Sequence, residues 1–454
     1  MTVERETLAR RSPITMYAPA HVRTPRAELR IILEDIRATP EDHTLRRILA
    51  DWLDDQENAE DSARAELIRL QCTQAEFPRR IPRLMRREEM LLAEWHWEWL
   101  GPLSDLAQPW QFDRGRLQLA ISSHAFQTPH FADLWNSEAF AWSDCLTLTN
   151  ATPGTIGHVA TMKAMSGLRE LVVQDGRVGN NGLAQLANSP YLHELRVLRL
   201  PMAGIGGRAS GTLRMPKLET LDLSQNYLRD TDLANLLEAG LPAVRHLHLG
   251  YNNLSDGAMA LLALSPAGSC LETLTLVGNR RLGDVGLGWL ATLPLKTLDV
   301  SQAIPTEAGV QALGMMGHLE ELALDRCELG DERFKQFALA GGAKKLHTLR
   351  AGRALLGDES LIALLHGSRP WKTIRLPYNH IGPRGIQAFA ESPCMGSLQE
   401  LNLSGNRLDD SCAQMLARSP FLSRLQLLDV SENPLTAAGL AVLVRRFGSN
   451  IVAR

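Results

Sequence analysis

The strongest constraint on this chain is a repeat. From residue 168 to residue 435 the pattern L-x-x-L-x-L-x-x-N-x-L recurs eleven times. The clearest copies are LETLDLSQNYL from Leu218, VRHLHLGYNNL from Val244, LQELNLSGNRL from Leu398 and LQLLDVSENPL from Leu425. Weaker copies begin at Leu168, Leu195, Leu271, Leu295, Leu319, Leu346 and Trp371, with steps of 23 to 27 residues. A degenerate twelfth copy, CLTLTNA at residues 145–151, opens the array. Inside each unit L-x-L is an alternation, so it reads as a short strand with one buried face. One unit cannot bury its own apolar side, but a stack can. Stacking makes equal positions of successive units neighbours about 5 Å apart.

The ninth position turns the chain. It is Asn226, Asn252, Asn279, Asn379, Asn406 and Asn433 in six copies, Cys327 in one, Gly176 in the first, and alanine in the rest. An asparagine amide donates and accepts, so stacked copies predict a buried ladder of side-chain bonds to backbone, broken where other residues intervene. Helix-like stretches follow, among them GVQALGMM from Gly309, GIQAFAES from Gly385 and GLAVLVRRF from Gly439, often after Gly, Asp or Pro. On these residues, 168–454 resembles a leucine-rich-repeat array of the ribonuclease-inhibitor-like type. The units are somewhat short for that type, so short or partly 3-10 helices are expected. The resemblance implies an α/β solenoid: a horseshoe with a parallel sheet on its concave face and helices on its convex face. Eleven strands give a surface roughly 50 Å long.

Composition changes near residue 142. Seven of nine tryptophans lie at or before that position, and every lysine lies after it. Residues 1–140 carry 18 arginines against 23 acidic residues. The expected division is 1–24 as a flexible terminus, 25–140 as a mainly helical capping domain and 141–454 as a solenoid of about 11–12 repeats. Thr24-Pro25 and Thr39-Pro40 read as N-cap plus first-turn proline. Leu29, Ile32, Leu33 and Ile36, then Leu45, Ile48, Leu49, Trp52 and Leu53, give amphipathic stripes. Further helices are expected over 63–76 and through Leu84–Trp99, and a strand over 114–122. The stretch from Ile32 to Gln71 resembles the bacterial repeat-companion domain, through Ala50-Asp51-Trp52-Leu53 and RAELIRLQ at Arg64–Gln71. That family implies company with repeat arrays and no activity. The physical task expected is closing the apolar end of the solenoid, with a docking motif at Ala50–Leu53 as the alternative.

Charge and motifs narrow the function. A net charge of -3 argues against an obligate nucleic-acid binder. No apolar run approaches a membrane span, and the start lacks the apolar core of a secretory signal. Six cysteines without C-x-x-C spacing suggest a reduced, cytoplasmic setting. No phosphate loop, nucleophile elbow or H-E-x-x-H is present. Strand alternation turns the third, fifth and seventh positions of each unit outward. One cluster there joins Asp222, His246 and His248, with Tyr251 at the rim. It reads as a partner surface, or alternatively as a metal or enzymatic site. A second joins Arg350, Arg375, Arg326, Arg353 and Lys372 with Tyr378. Side-by-side arginines repel unless an anionic group of a partner relieves them, or Glu321, Asp325 and Asp299 already do. The expected function is a non-enzymatic protein-interaction module without cofactor or metal, binding another protein. Regulation of a GTPase is the alternative that the resemblance offers.

Overall fold

The computed structural model describes residues 23–452, other than 78, 128–133, 208–212, 214, 239–240 and 368. The expected flexible terminus, as far as residue 22, lies outside the described residues. The chain divides into two compact units, Met1–Thr147 and Leu148–Arg454.

The first unit holds α1 (Ala27–Ala38), α2 (His43–Asp54), α3 (Ala59–Ala75), α4 (Pro82–Leu100), a β1–β2 hairpin (Ala107–Asp113 and Arg116–Ser122) and the short α5 (Glu138–Ala141). The apolar stripes pack as expected: Leu29, Leu33, Ile36, Leu49, Leu53, Leu67 and Ile68 are buried. The helix starts are corrected. α2 begins after Asp42, whose carboxylate accepts from the Thr44 amide at 2.7 Å, so Thr39-Pro40 lies ahead of the helix. α1 begins after Arg26, which has extended dihedrals and no side-chain cap. Arg26 is held there by Asp61 and Glu138, each at 2.7 Å. Within the two motifs, Ala50 and Leu53 are core and Asp51 pairs with Arg69 at 2.6 Å. Gln71 clamps the hairpin, donating to the Phe112 carbonyl at 2.8 Å and accepting from the Arg114 amide at 2.6 Å. β3 (Ser143–Thr149) runs across the division between the units.

The second unit is the repeat array. Its strands are β4 (Glu170–Gln174), β5 (Val197–Arg199), β6 (Thr220–Asp222), β7 (His246–His248), β8 (Thr273–Thr275), β9 (Thr297–Asp299), β10 (Glu321–Ala323), β11 (Thr348–Arg350), β12 (Thr373–Arg375), β13 (Glu400–Asn402), β14 (Leu427–Asp429) and β15 (Ile451–Val452). Each pairs in parallel with the next, without a slip in register from β4 to β15. The fourth and sixth residues of every unit, mostly leucines, are buried. The helices are α6 (Pro153–Thr161), α7 (Gly179–Ala187), α8 (Asp230–Glu238), α9 (Asp256–Leu264), α10 (Asp284–Leu290), α11 (Glu307–Gly314), α12 (Gly330–Leu339), α13 (Asp358–Leu364), α14 (Pro383–Ala390), α15 (Asp410–Arg418) and α16 (Ala437–Phe447). The two units that begin at Leu271 and Leu295 carry helices of 7 and 8 residues, against 10 in the longer unit from Leu319. The short steps leave the strands in register.

Two polar ladders tie the stack together. Asn226 accepts from the Ile205 amide of the preceding unit at 2.9 Å and donates to the Leu200 and Leu223 carbonyls. Asn252, Asn279, Asn379, Asn406 and Asn433 repeat this arrangement. Five of the six are buried, while Asn433 in the last unit is half-buried. Where alanine replaces asparagine at Ala203 and Ala354, the preceding unit supplies Gly179 and Gly330. Their left-handed φ of +61° and +63° turns each amide onto the alanine carbonyl. The second ladder is made by aspartates in the first turns of helices. Asp230, Asp256, Asp284, Asp331, Asp358 and Asp410 each accept from a backbone amide of the following unit at 2.6–2.9 Å. A carboxylate there also suits the positive helix end.

Candidate partner-binding face

The third and fifth positions of the strands are half-buried or exposed, apart from the small buried Ala323, so they form one face of the sheet. The eighth position forms a row beside it. All eleven eighth residues adopt left-handed backbone, with φ of 53–77°. Nine are not glycine, although this conformation costs an L-residue about 1–2 kcal/mol. The turn persists because it aims each amide at the neighbouring unit. Tyr251 donates to the Val277 carbonyl, Arg326 to Gly352, Arg353 to Pro377 and Tyr378 to Ser404, at 2.6–2.9 Å. Four candidate residues, Tyr251, Arg326, Arg353 and Tyr378, are thus equivalent corner residues of their units.

The two tyrosines share one design. Each lies over the corner glycine of the next unit: a Cβ on Gly278 would sit 2.5 Å from the Tyr251 ring, and one on Gly405 2.5 Å from the Tyr378 ring. Each hydroxyl then reaches the corner of the unit after that. Tyr251 accepts from Gln302 at 3.0 Å, and Tyr378 donates to Glu432 at 2.8 Å. Donation to Glu432 holds the Tyr378 phenol above its usual range. On the other side, the Arg353 guanidinium lies 4.4 Å from the centre of the Tyr378 ring. Arg326, Arg353 and Tyr378 therefore occupy successive corners and are exposed.

Of the two readings of Arg350 and Arg375, relief by acids of the chain itself holds, through Asp325 as expected and through Glu400 in place of Glu321 and Asp299. The two arginines are neighbours in register, but Arg350 pairs with Asp325 at 2.9 Å and Arg375 with Glu400 at 2.7 Å. Asp325 also accepts from the Gly352 amide at 2.6 Å. The neighbouring units supply the compensation that a partner was otherwise expected to bring. Lys372, Arg326 and Arg353 are the cations of the cluster without a carboxylate partner among the described residues. The unpaired charge consequently sits on the corner row.

Asp222 stands opposite His248 in register, with His246 opposite Thr220. Asp222 accepts from the amide and hydroxyl of Ser224 at 2.9 and 2.6 Å. His248 Nδ1 lies 2.9 Å from the Thr275 hydroxyl, and His246 Nδ1 lies 3.0 Å from that of Thr273. The same histidine–threonine contact made twice is a product of strand register. Burial lowers the His248 imidazole from its usual range, against the pull of Asp222. Among the described residues no group of three or more His, Cys, Asp or Glu is arranged to hold a metal ion.

A family model described as "Leucine Rich repeat" matches residues 397–417. Among curated proteins, the ribonuclease inhibitor of Sus scrofa is 31% identical over 259 residues, which are 52% of this chain and 56% of that protein. The chain therefore spans little more than half the length of that relative. Among solved structures, an internalin of Listeria monocytogenes is 18% identical with a TM-score of 0.46, covering 75% of this chain and 86% of that one. A chain of the yeast Rad7–Elc1 complex is 16% identical with a TM-score of 0.42, covering 73% and 83%. The fold class is α/β, a leucine-rich-repeat solenoid of parallel strands and helices.

Proposed function

We propose that this chain is a non-enzymatic protein-interaction module whose partner contacts the strand face and corner row between Arg326 and Tyr378. The observation that carries this reading is the run of exposed, uncompensated Arg326 and Arg353 beside Tyr378, held by backbone on an unbroken sheet. Arginine and tyrosine are residue types enriched at binding hot spots. A corner whose backbone is fixed by the next unit loses little freedom on binding. Asp222, His246, His248 and Tyr251 extend the same face toward the amino-terminal units. Arg350 and Arg375 belong to it as ion-paired members, whose exchange for partner carboxylates gives little net gain.

The reading includes a protein partner and no cofactor, nucleic acid or membrane. No helix among the described residues is long and apolar enough to cross a membrane. A reduced cytoplasmic setting is supported by six cysteines that are all free. Residues 25–140 are proposed as a repeat-companion domain that closes the array. The test is affinity purification of the intact protein from its own cells with Arg326→Glu plus Arg353→Glu. A co-purified protein should be lost from this variant and retained by Arg384→Glu, on exposed α14. Equal retention by both variants refutes the site.

A further inference from the structure

The first unit contains a cavity of about 430 Å³ whose wall includes Arg64, Trp97, Trp99, Ser137 and Trp142. Arg64 is only 5% exposed, and its guanidinium lies 3.6 Å from the centre of the Trp142 ring, with Phe112 and Trp99 at 5.3 and 5.7 Å. Its Nε and Nη2 are buried with no hydrogen-bond acceptor among the described residues. The Nε1 of Trp142, in the same wall, also lacks one. Three of the four acids nearby are already engaged, and the fourth, Glu98, is an exposed residue of the wall. Asp61 and Glu138 are held by Arg26, and Glu60 by Arg23 at 2.9 Å. Among the described residues, Trp99 is the indole of this wall with a bond, at 3.4 Å from the Glu60 carbonyl. The unmet groups named here are all donors.

A buried guanidinium without an acceptor is costly, and a native fold rarely retains one without a use. Burial pushes the Arg64 group down from its usual range, against the weaker pull of Glu138, Glu60 and Asp61. The free Nε–Nη2 edge is the edge that grips a carboxylate through two parallel bonds, as Arg87 does on Glu66 at 2.6 Å each. The surrounding tryptophan rings suit a flat apolar body.

We propose that this cavity binds a carboxylate carried on an apolar, ring-like body, with Arg64 gripping the carboxylate and Trp142 donating its indole N–H. Both Arg64 nitrogens are shielded from water, so the guanidinium meets the ligand by a small swing across the Trp142 ring. The carboxylate belongs either to a small aromatic acid or to the carboxyl terminus of a chain ending in an aromatic residue.

The experiment titrates the full chain with benzoate, inorganic phosphate, and two short peptides ending in phenylalanine, one with a free carboxylate and one amidated. Binding is read by calorimetry and tryptophan fluorescence. Saturable benzoate binding at one site is expected, weakened at least roughly tenfold in Arg64→Met and severalfold in Trp142→Phe. A free-carboxylate peptide that binds more tightly than benzoate, with its amidated form silent, assigns the site to a chain terminus. The reverse order assigns it to a small acid. Arg64→Met should melt no lower than the parent, because it removes a buried charge without an acceptor. If that variant does not fold, Trp142→Phe decides, and unchanged benzoate affinity in it overturns the proposal. So do phosphate binding tighter than benzoate, an amidated peptide that binds as tightly as a binding free-carboxylate one, and no saturable binding at tens of millimolar.

Discussion

Replacing Asn252 by leucine keeps the volume of the side chain and removes every bond it makes. Its Oδ1 is the acceptor of the Leu228 amide at 3.0 Å, and its Nδ2 serves the Leu223 and Leu249 carbonyls at 3.0 Å each. A longer fourth bond goes to the Gly250 carbonyl at 3.3 Å, which keeps the Gln225 amide, and the losses are unequal. Leu223 keeps the Asn226 amide and Leu249 keeps the Asn279 amide, so both carbonyls remain bonded. The Leu228 amide keeps no acceptor and is sealed inside the stack. An orphaned buried donor costs about 1–3 kcal/mol and each surplus carbonyl bond about 0.5–1.5. Partial relaxation of the turn places the total near 2–4 kcal/mol. Urea unfolding of the full chain at constant slope reads this as a lower midpoint, and hydrogen exchange reads it locally as a faster Leu228 amide. An unchanged midpoint together with a protected Leu228 amide would show that the asparagine bonds do not hold the units together.

Three further outcomes follow from the same geometry. Gly330→Ala should lower stability by about 1–2 kcal/mol on thermal melting, because φ there is +63° and no neighbour lies near the added carbon; no loss would mean that left-handed turn is not needed. Gly405→Ala adds a carbon against the Tyr378 ring and should displace its hydroxyl from Glu432. The raised phenol should then return toward its usual range in a spectroscopic titration, and an unchanged titration contradicts the stacking. His248 has its imidazole lowered by burial, so its neutral form is favoured in the fold. Its contribution is present above the unfolded value near ~6.5 and is lost as pH falls through the lower folded value. Between neutral pH and about pH 5 the parent should lose more stability than His248→Gln, and parallel losses refute this.

The fold was legible because the repeat is carried by leucines whose spacing has one structural meaning. Strand positions, register and the rows of equivalent side chains all follow from it. The helix starts in the first unit were misplaced because local cap chemistry offered two solutions. At α2 the second, Asp42, is used instead of Thr39, while at α1 a tertiary clamp on Arg26 fixes the entry. The candidate face was only partly legible. Register put Arg350 beside Arg375, but side-chain reach decides that Asp325 and Glu400 neutralise them. The corner row was missed although a signal existed, since glycine occupies the eighth position at Gly278 and Gly405. The aspartate ladder was signalled too, by acids in the first turns of helices and glycines that face them in the next unit, such as Gly286 against Asp256 and Gly385 against Asp358.

The most direct test of the central claim is hydrogen exchange on the intact chain, free and with its co-purified protein partner bound. Protection should gather in 321–328, 348–355 and 373–380, which hold β10, β11 and β12 with their corners. The exposed faces of α12, α13 and α14 should exchange as before. Protection confined to those helices, with the strand ends unchanged, would contradict the assignment of the partner surface to the sheet face and its row of left-handed corners.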